Sequence, residues 1–266
     1  MLATSAPLRL ELLQGLSPKA RMKDGIHFEF TVGEFAQENH GKLAALEKQR
    51  EQLTYAAYGA GISALLGFTM FSPSAIASLP ALGAVLGSLQ RVSQRYLIMR
   101  ELIKEFEEEN VAIEVGLKIE GSKDIDFFVK FPDKEYILIQ LRSLGVATVI
   151  YDEERAALRF RDKGGGTRVW KPDPLVELAE KELWVRKYRS DLLGTSSRDK
   201  RRPLAKLLVL MSETVLGEHP EQLWDTIDQQ NYLIIRRGGT FNVVEKDRVA
   251  SFIRSYLASR RTPKTS

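Results

Sequence analysis

The spacing of apolar residues along the chain predicts two helices followed by a run of strands. Gly33–Glu51 and Arg91–Asn110 carry their apolar residues at helical spacing. Val111–Glu120 then alternates between apolar and polar residues, which predicts a strand with one buried face. Two more strands are predicted at Asp124–Phe131 and Glu135–Ser143, on either side of a short turn.

The second half of the chain continues with mixed elements. The pattern predicts a β-hairpin within 147–170, a helix at Pro174–Arg189 capped by Asp173, a strand buried on both faces at Leu204–Ser212, a strand at Tyr232–Arg236 and a final helix at Glu245–Ser259. The order of helix, three strands, helix and strand predicts an α/β domain.

One long segment of the chain carries no charge. From Gln52 to Gln90 there is no Asp, Glu, Lys, Arg or His. Its first half, Leu53–Phe71, would span roughly 28 Å as a helix, close to the thickness of a hydrocarbon core. Its second half, Ala75–Leu89, is shorter and contains Pro80. Because both flanks are basic, we expect a transmembrane helical hairpin with both ends in the cytoplasm. The alternative is a Gly/Ala-rich helical hairpin buried in a soluble protein.

These patterns divide the chain into four parts. We expect an N-terminal arm and juxtamembrane helix at 1–51, a membrane hairpin at 52–90, a cytoplasmic domain at 91–259 and a basic tail at 260–266. The expected location is therefore the membrane, with lipids as partners and with both termini and the main domain in the cytoplasm. The Gly-rich hairpin, with its Gly83–Gly87 step, is also a candidate for homo-oligomer formation.

Composition excludes several kinds of chemistry. The 266 residues include no cysteine, so disulfides, thiolate metal sites and cysteine nucleophiles are ruled out. The three histidines are far apart in sequence, which disfavours a histidine-rich metal site. A net charge of +4 permits binding of nucleic acid or anionic lipid without specifying either.

The predicted hairpin of strands brings polar side chains together. If Pro132-Asp133-Lys134 forms the turn, Asp126 lies opposite Gln140, and Arg142 points to the same face of the sheet. The helix before these strands carries Glu101 and Glu105 four residues apart on one face.

The segments Gly121-Ser122-Lys123-Asp124-Ile125-Asp126-Phe127-Phe128-Val129 and Tyr136-Ile137-Leu138-Ile139-Gln140-Leu141-Arg142-Ser143, in this order of elements, resemble the PD-(D/E)xK phosphodiesterase superfamily. They are most similar to Mrr-type restriction enzymes and the nuclease-related domain. The resemblance covers roughly residues 91–258. It implies a restriction-endonuclease-like mixed sheet flanked by helices, here with the transmembrane hairpin inserted on its N-terminal side.

The resemblance also implies roles for individual residues. Asp126 and Gln140 would be ligands of Mg²⁺, Glu101 or Glu105 would supply a helix carboxylate to the metal, and Arg142 would replace the family's lysine. Two departures weaken this site, because a Gln ligand carries no charge and an arginine does not act as a base.

The sequence therefore predicts a membrane-anchored, nuclease-like protein that binds DNA, and it leaves open whether the domain also hydrolyses phosphodiester bonds as a Mg²⁺-dependent endonuclease with a degenerate active site. One alternative is a non-catalytic membrane protein whose nuclease-like domain serves assembly or partner binding. Another is an unrelated α/β domain in which Asp126 and Arg142 form a structural ion pair.

A separate basic segment is the strongest cluster of positive charge in the chain. It is expected to bind nucleic-acid phosphates or lipid headgroups, or else to be a solvated loop, and it contains Arg198, Lys200, Arg201 and Arg202.

Overall fold

The structure is a computed structural model that describes residues 34–69, 73–194, 196–227, 230–236 and 238–261. The rest of the expected N-terminal arm, residues 70–72 between the two hydrophobic halves and the tail after residue 261 lie outside the described residues. The helices are α1 (Glu34–Thr69), α2 (Pro73–Phe106), α3 (Pro174–Tyr188), α4 (Ser197–Lys200) and α5 (Val249–Arg261). The strands are β1 (Ala112–Leu117), β2 (Ile125–Lys130), β3 (Tyr136–Arg142), β4 (Ala147–Asp152), β5 (Ala157–Asp162), β6 (Thr167–Val169), β7 (Leu204–Leu210), β8 (Thr214–Leu216), β9 (Trp224–Ile227), β10 (Gln230–Arg236) and β11 (Thr240–Glu245).

The first two helices form a long antiparallel pair. Tyr96 of α2 connects them, because its Oη donates to Glu47 Oε1 of α1 (3.3 Å) and the guanidinium of Arg50 of α1 lies over its ring. Within the described ranges, none of the helices combines the length and hydropathy that a bilayer crossing requires. The prediction of a transmembrane helical hairpin at 52–90 is therefore wrong. The uncharged run is only the outer half of two helices whose other halves are charged, and its many Gly, Ala, Ser and Tyr residues dilute its apolar character.

A seven-stranded mixed sheet forms the centre of the domain, in the order β1-β2-β3-β7-β11-β10-β9. The first three strands are antiparallel, and β3, β7 and β11 are parallel to one another. Every residue of β7 is buried, in agreement with its continuous apolar sequence. The chain is therefore an α/β protein with a mixed sheet flanked by helices, as the pattern of elements predicts.

Two hydrophobic clusters lie on the two faces of this sheet. On one face, Phe127, Ile139 and Leu207 pack with residues of α1, α2 and α5. On the other face, Phe128, Leu138 and Leu208 pack with α3 and with a second, four-stranded sheet of order β6-β5-β4-β8. The predicted hairpin within 147–170 is thus part of a separate small sheet.

The chain order α2, β1, β2, β3, α3, β7 determines which residues meet at one end of the main sheet. The β2–β3 turn has the predicted position, because the Phe131 N–H donates to the Glu135 carbonyl oxygen (3.0 Å). The start of β2 and the end of β3 consequently lie together at the opposite end, where α2 and α3 flank the sheet.

Candidate functional site

The end of the β2–β3 hairpin brings together the three residues that the turn geometry predicts. Phe127 pairs with Ile139, and the same register puts Asp126 opposite Gln140. Gln140 Nε2 donates to Asp126 Oδ2 (2.5 Å), and the Leu141 N–H donates to the same oxygen (2.9 Å). Asp126, Gln140 and Arg142 all line one cleft.

The other oxygen of Asp126 is bound by an arginine from α2. Arg95 Nε and Nη2 each lie 2.8 Å from Asp126 Oδ1. The guanidinium passes over Gly116, which lies in β1 across from Asp126 and has a φ of +64°. A Cβ at Gly116 would lie 3.0 Å from Arg95 Nη1, so glycine gives the guanidinium its path to the carboxylate.

Helix α3 adds a buried lysine to the cluster. Lys181 is 2% exposed, and its Nζ donates to Gln140 Oε1 and to the Asp124 carbonyl oxygen, the latter at 2.9 Å. Burial lowers the pKa of Lys181 from its usual 10.5 to about 8, and the nearby positive charge of Arg142 acts in the same direction.

One turn earlier on α3, Glu177 binds two of the cations. It pairs with Arg142, and Lys123 Nζ lies 3.2 Å from Glu177 Oε1. Burial alone would raise the pKa of Glu177, but the hydrogen bonds and charges of Arg142 and Lys123 lower it. Glu177 is thus an anion that holds Arg142 in place beside the cleft.

The cleft that these groups surround is mainly cationic. It has a volume of about 640 Å³. The lining residues include five arginines and lysines but only two carboxylates, and Lys118 and Lys123 are largely exposed. They are Arg91, Arg95, Lys118, Gly121, Ser122, Lys123, Asp124, Asp126, Gln140 and Arg142. Such a lining favours an anionic ligand.

The side-chain oxygens of Asp126 and Gln140 are not available as ligands for Mg²⁺. Each Asp126 oxygen already accepts from protein N–H groups, and Gln140 Oε1 accepts from the Lys181 ammonium. The nearest charges are positive, whereas a hard divalent cation needs an excess of oxygen ligands and negative charge. In the described parts of the chain, no three His, Asp or Glu side chains are grouped in a way that could hold a metal ion.

The two glutamates expected to complete a metal site lie elsewhere. Glu105 forms an ion pair with Arg254 of α5, 2.5 Å from its Nε. Glu101 accepts from the Ala250 N–H, and burial together with Asp247 and Glu105 raises its pKa. The structure therefore does not bring Glu101 or Glu105 to Asp126, because they lie farther along α2 and face α5.

The basic segment is at the other end of the main sheet. Lys134, in the β2–β3 turn, lies 3.1 Å from Asp199, and Arg202 also pairs with Asp199. The remaining residues of this segment, Arg198, Lys200 and Arg201, are exposed. The basic segment and the cleft are consequently two separate positive regions.

Sequence reasoning does not find the three residues that bind Asp126, Gln140 and Arg142, namely Arg95, Lys181 and Glu177, nor the rim residues Arg91 and Lys118. The spacing of Glu177 and Lys181, four apart after the Asp173 cap, places them on one face of α3 and was an available signal. Arg95 was interpreted only as a charge flanking the hydrophobic run, because its direction on α2 depends on how that helix packs.

None of the protein-family models, curated proteins or solved structures compared with the chain matches it, and these comparisons identify no family.

Proposed function

We propose that this chain binds the phosphodiester backbone of DNA in the cationic cleft and does not hydrolyse it. The scaffold would be nuclease-like, and the order α2, β1–β3, α3, β7 supports that reading because it is the order the PD-(D/E)xK resemblance implies. The observation that carries the proposal is the occupation of the expected metal-ligand atoms by Arg95 and Lys181.

Phosphate is the anion that the cleft suits best. Arginine side chains recognise phosphate through paired N–H donors, and Arg142 is held at the cleft by Glu177. Arg91, Lys118 and Lys123 at the rim are exposed, so their side chains are able to follow a repeating backbone. Neutralising several phosphates releases counterions, which supplies affinity without base recognition.

The lack of hydrolysis follows from the same contacts. A guanidinium and an ammonium supply the positive charge at Asp126 and Gln140 that a metal ion would otherwise supply. These cations are fixed to the protein and do not activate a water molecule as a metal does. The carboxylate therefore serves to hold the arginine and the end of the sheet.

The binding half of the proposal is tested with a fluorescently labelled duplex and the matching single strand. The double variant Arg91→Ala/Lys123→Ala removes two rim cations, and we expect its Kd to rise by about tenfold and the slope of log Kd against log salt to fall by about 2. Arg198→Ala/Arg201→Ala removes the same charge at the far end of the sheet and serves as the matched control. Equal losses in both double variants would show that binding is not specific to the cleft.

The catalytic half is tested by incubating duplex, branched and single-stranded DNA with the chain and Mg²⁺ or Mn²⁺. We expect no cleavage. Cleavage that disappears in Asp126→Asn would overturn the proposal in favour of a metal-dependent endonuclease.

A further inference from the structure

The outer half of α1 has small residues on the side that packs against α2 and large apolar residues on the opposite side. Ala57, Ala60 and Ala64 of α1 are half-buried and face α2, whose Leu82 and Val85 are also half-buried. The large apolar side chains on the opposite side of α1 are between 58% and 76% exposed, and they are Tyr55, Tyr58, Ile62, Leu65 and Leu66. A lone hairpin in water would be expected to have the reverse arrangement.

The outward side chains of α1 form one continuous stripe. Tyr55, Tyr58, Ile62 and Leu65 are spaced alternately by three and four residues, which keeps them on a single face of the helix. At 100° per residue this face lies opposite the alanines of the α1–α2 seam. The three-and-four spacing is the one by which helices interlock in coiled coils and helix bundles.

The amount of exposed apolar surface is that of a protein interface. The five side chains of α1 expose roughly 650 Å² at about 200 Å² per large residue, which approaches the roughly 800 Å² that each partner gives to a stable interface. Contiguous apolar patches of this size on soluble proteins usually mark contact sites. No residue of 54–66 or 79–91 is buried, so the rest of the described chain leaves this patch uncovered.

We infer that the stripe on α1 is covered by the same stripe of a second copy, so that two hairpins associate through their α1 helices. A two-fold interface brings identical surfaces together, which requires that they do not repel each other. The segment from Gln52 to Gln90 meets this condition because it contains no charged residue.

Sedimentation equilibrium of the full chain without detergent tests this inference. We expect a dimer for the wild type. Ile62→Lys places an ammonium in the stripe, and we expect it to raise the dimer Kd by about a hundredfold or more, because a buried unpaired charge is costly. Ser63→Lys adds the same charge one residue away, on a different side of α1, and should change the Kd by less than about threefold.

A second pair of variants repeats the test elsewhere on α1. Leu65→Lys should dissociate the dimer, whereas Ala56→Lys, at an exposed position off the stripe, should not. Circular dichroism of each variant establishes that the domain remains folded. A monomeric wild type, or equal effects of the stripe and control variants, would overturn the inference. A chain that needs detergent and floats with phosphatidylcholine/phosphatidylglycerol vesicles would also overturn it, since lipid would then be the occupant.

Discussion

At the scale of single residues, Asp126 organises the site. It is a buried carboxylate, and each of its oxygens accepts from two N–H groups. A charge in this position is tolerated only when it is fully hydrogen-bonded. Its partners come from α2 and β3, so this side chain of β2 ties three elements of the fold together.

Gly116 should be the least replaceable glycine near the site. Alanine there would adopt a φ of +64° and would also press on the Arg95 guanidinium, so we expect Gly116→Ala to reduce the free energy of unfolding by about 2–3 kcal/mol. Gly121→Ala is the control, because Gly121 also has a positive φ, but an added Cβ meets nothing within 4 Å. Urea unfolding measures both variants. Equal losses would mean that the approach of Arg95 to Gly116 is unimportant.

Lys181 should make the stability of the fold depend on pH. Its pKa is about 8 in the folded protein and near 10.5 when unfolded, so between these values the unfolded chain binds more protons. Stability contributed by this residue therefore rises as the pH rises, by about 2 kcal/mol between pH 8 and pH 10. Chemical denaturation of wild type and Lys181→Met at several pH values isolates this contribution. Parallel curves for the two proteins would contradict the lowered pKa.

The residues predicted from sequence and those missed differ in what positions them. Asp126, Gln140 and Arg142 were placed together because a tight turn fixes the pairing of two adjacent strands. Arg95 and Lys181 belong to helices, and the direction of a helical side chain depends on how the helix rotates against the sheet. That rotation is set by tertiary packing, which the sequence pattern does not specify. For the same reason, the sequence does not show that the shared face of Glu101 and Glu105 is turned to α5.

At the scale of elements, α1 covers one edge of the main sheet. β1 is the first strand of the main sheet, and its outer backbone groups would otherwise be open. Asn39 of α1 donates to the Val111 carbonyl oxygen (2.8 Å) and accepts from the Ile113 N–H (3.3 Å). Lys42 donates to the Ile113 carbonyl oxygen (2.8 Å). The inner half of α1 is thus bonded directly to the main sheet.

Removing the Asn39 amide should weaken this edge. Asn39→Ala leaves a buried N–H and a buried carbonyl group without partners, and we expect a loss of about 2 kcal/mol in the free energy of unfolding. Gln37→Ala, at an exposed position two residues earlier, should cost less than about 0.5 kcal/mol. Thermal and urea unfolding measure the difference. Similar values for both variants would show that α1 does not protect β1 through Asn39.

At the scale of the whole molecule, charge and apolar surface are segregated. The segment from Gln52 to Gln90 carries no charge, while the sheet domain carries a cationic cleft at one end and the basic segment at the other. The length of the uncharged segment suggested a membrane span because length and local composition are visible in a sequence. The sequence does not show, however, that both helices continue into the charged domain. The proposed binding of DNA and the proposed pairing of copies accordingly use different parts of the chain.

This separation predicts that the outer hairpin is dispensable for the fold. Leu53 packs against the core, and Gln90 lies beside it in the antiparallel pair, so a Gly-Ser-Gly-Ser linker of up to about 13 Å would bridge two helices about 8–10 Å apart. Replacing residues 54–89 with this linker removes no buried side chain among those described. We therefore expect the free energy of unfolding to change by less than about 1 kcal/mol.

The Kd of the shortened chain for a short DNA duplex should stay within about twofold of the wild-type value, because the rim cations remain and each neutralised phosphate contributes separately. Sedimentation should give a monomer, and a shortened chain that fails to fold, or that remains dimeric, would show that the two parts are not independent.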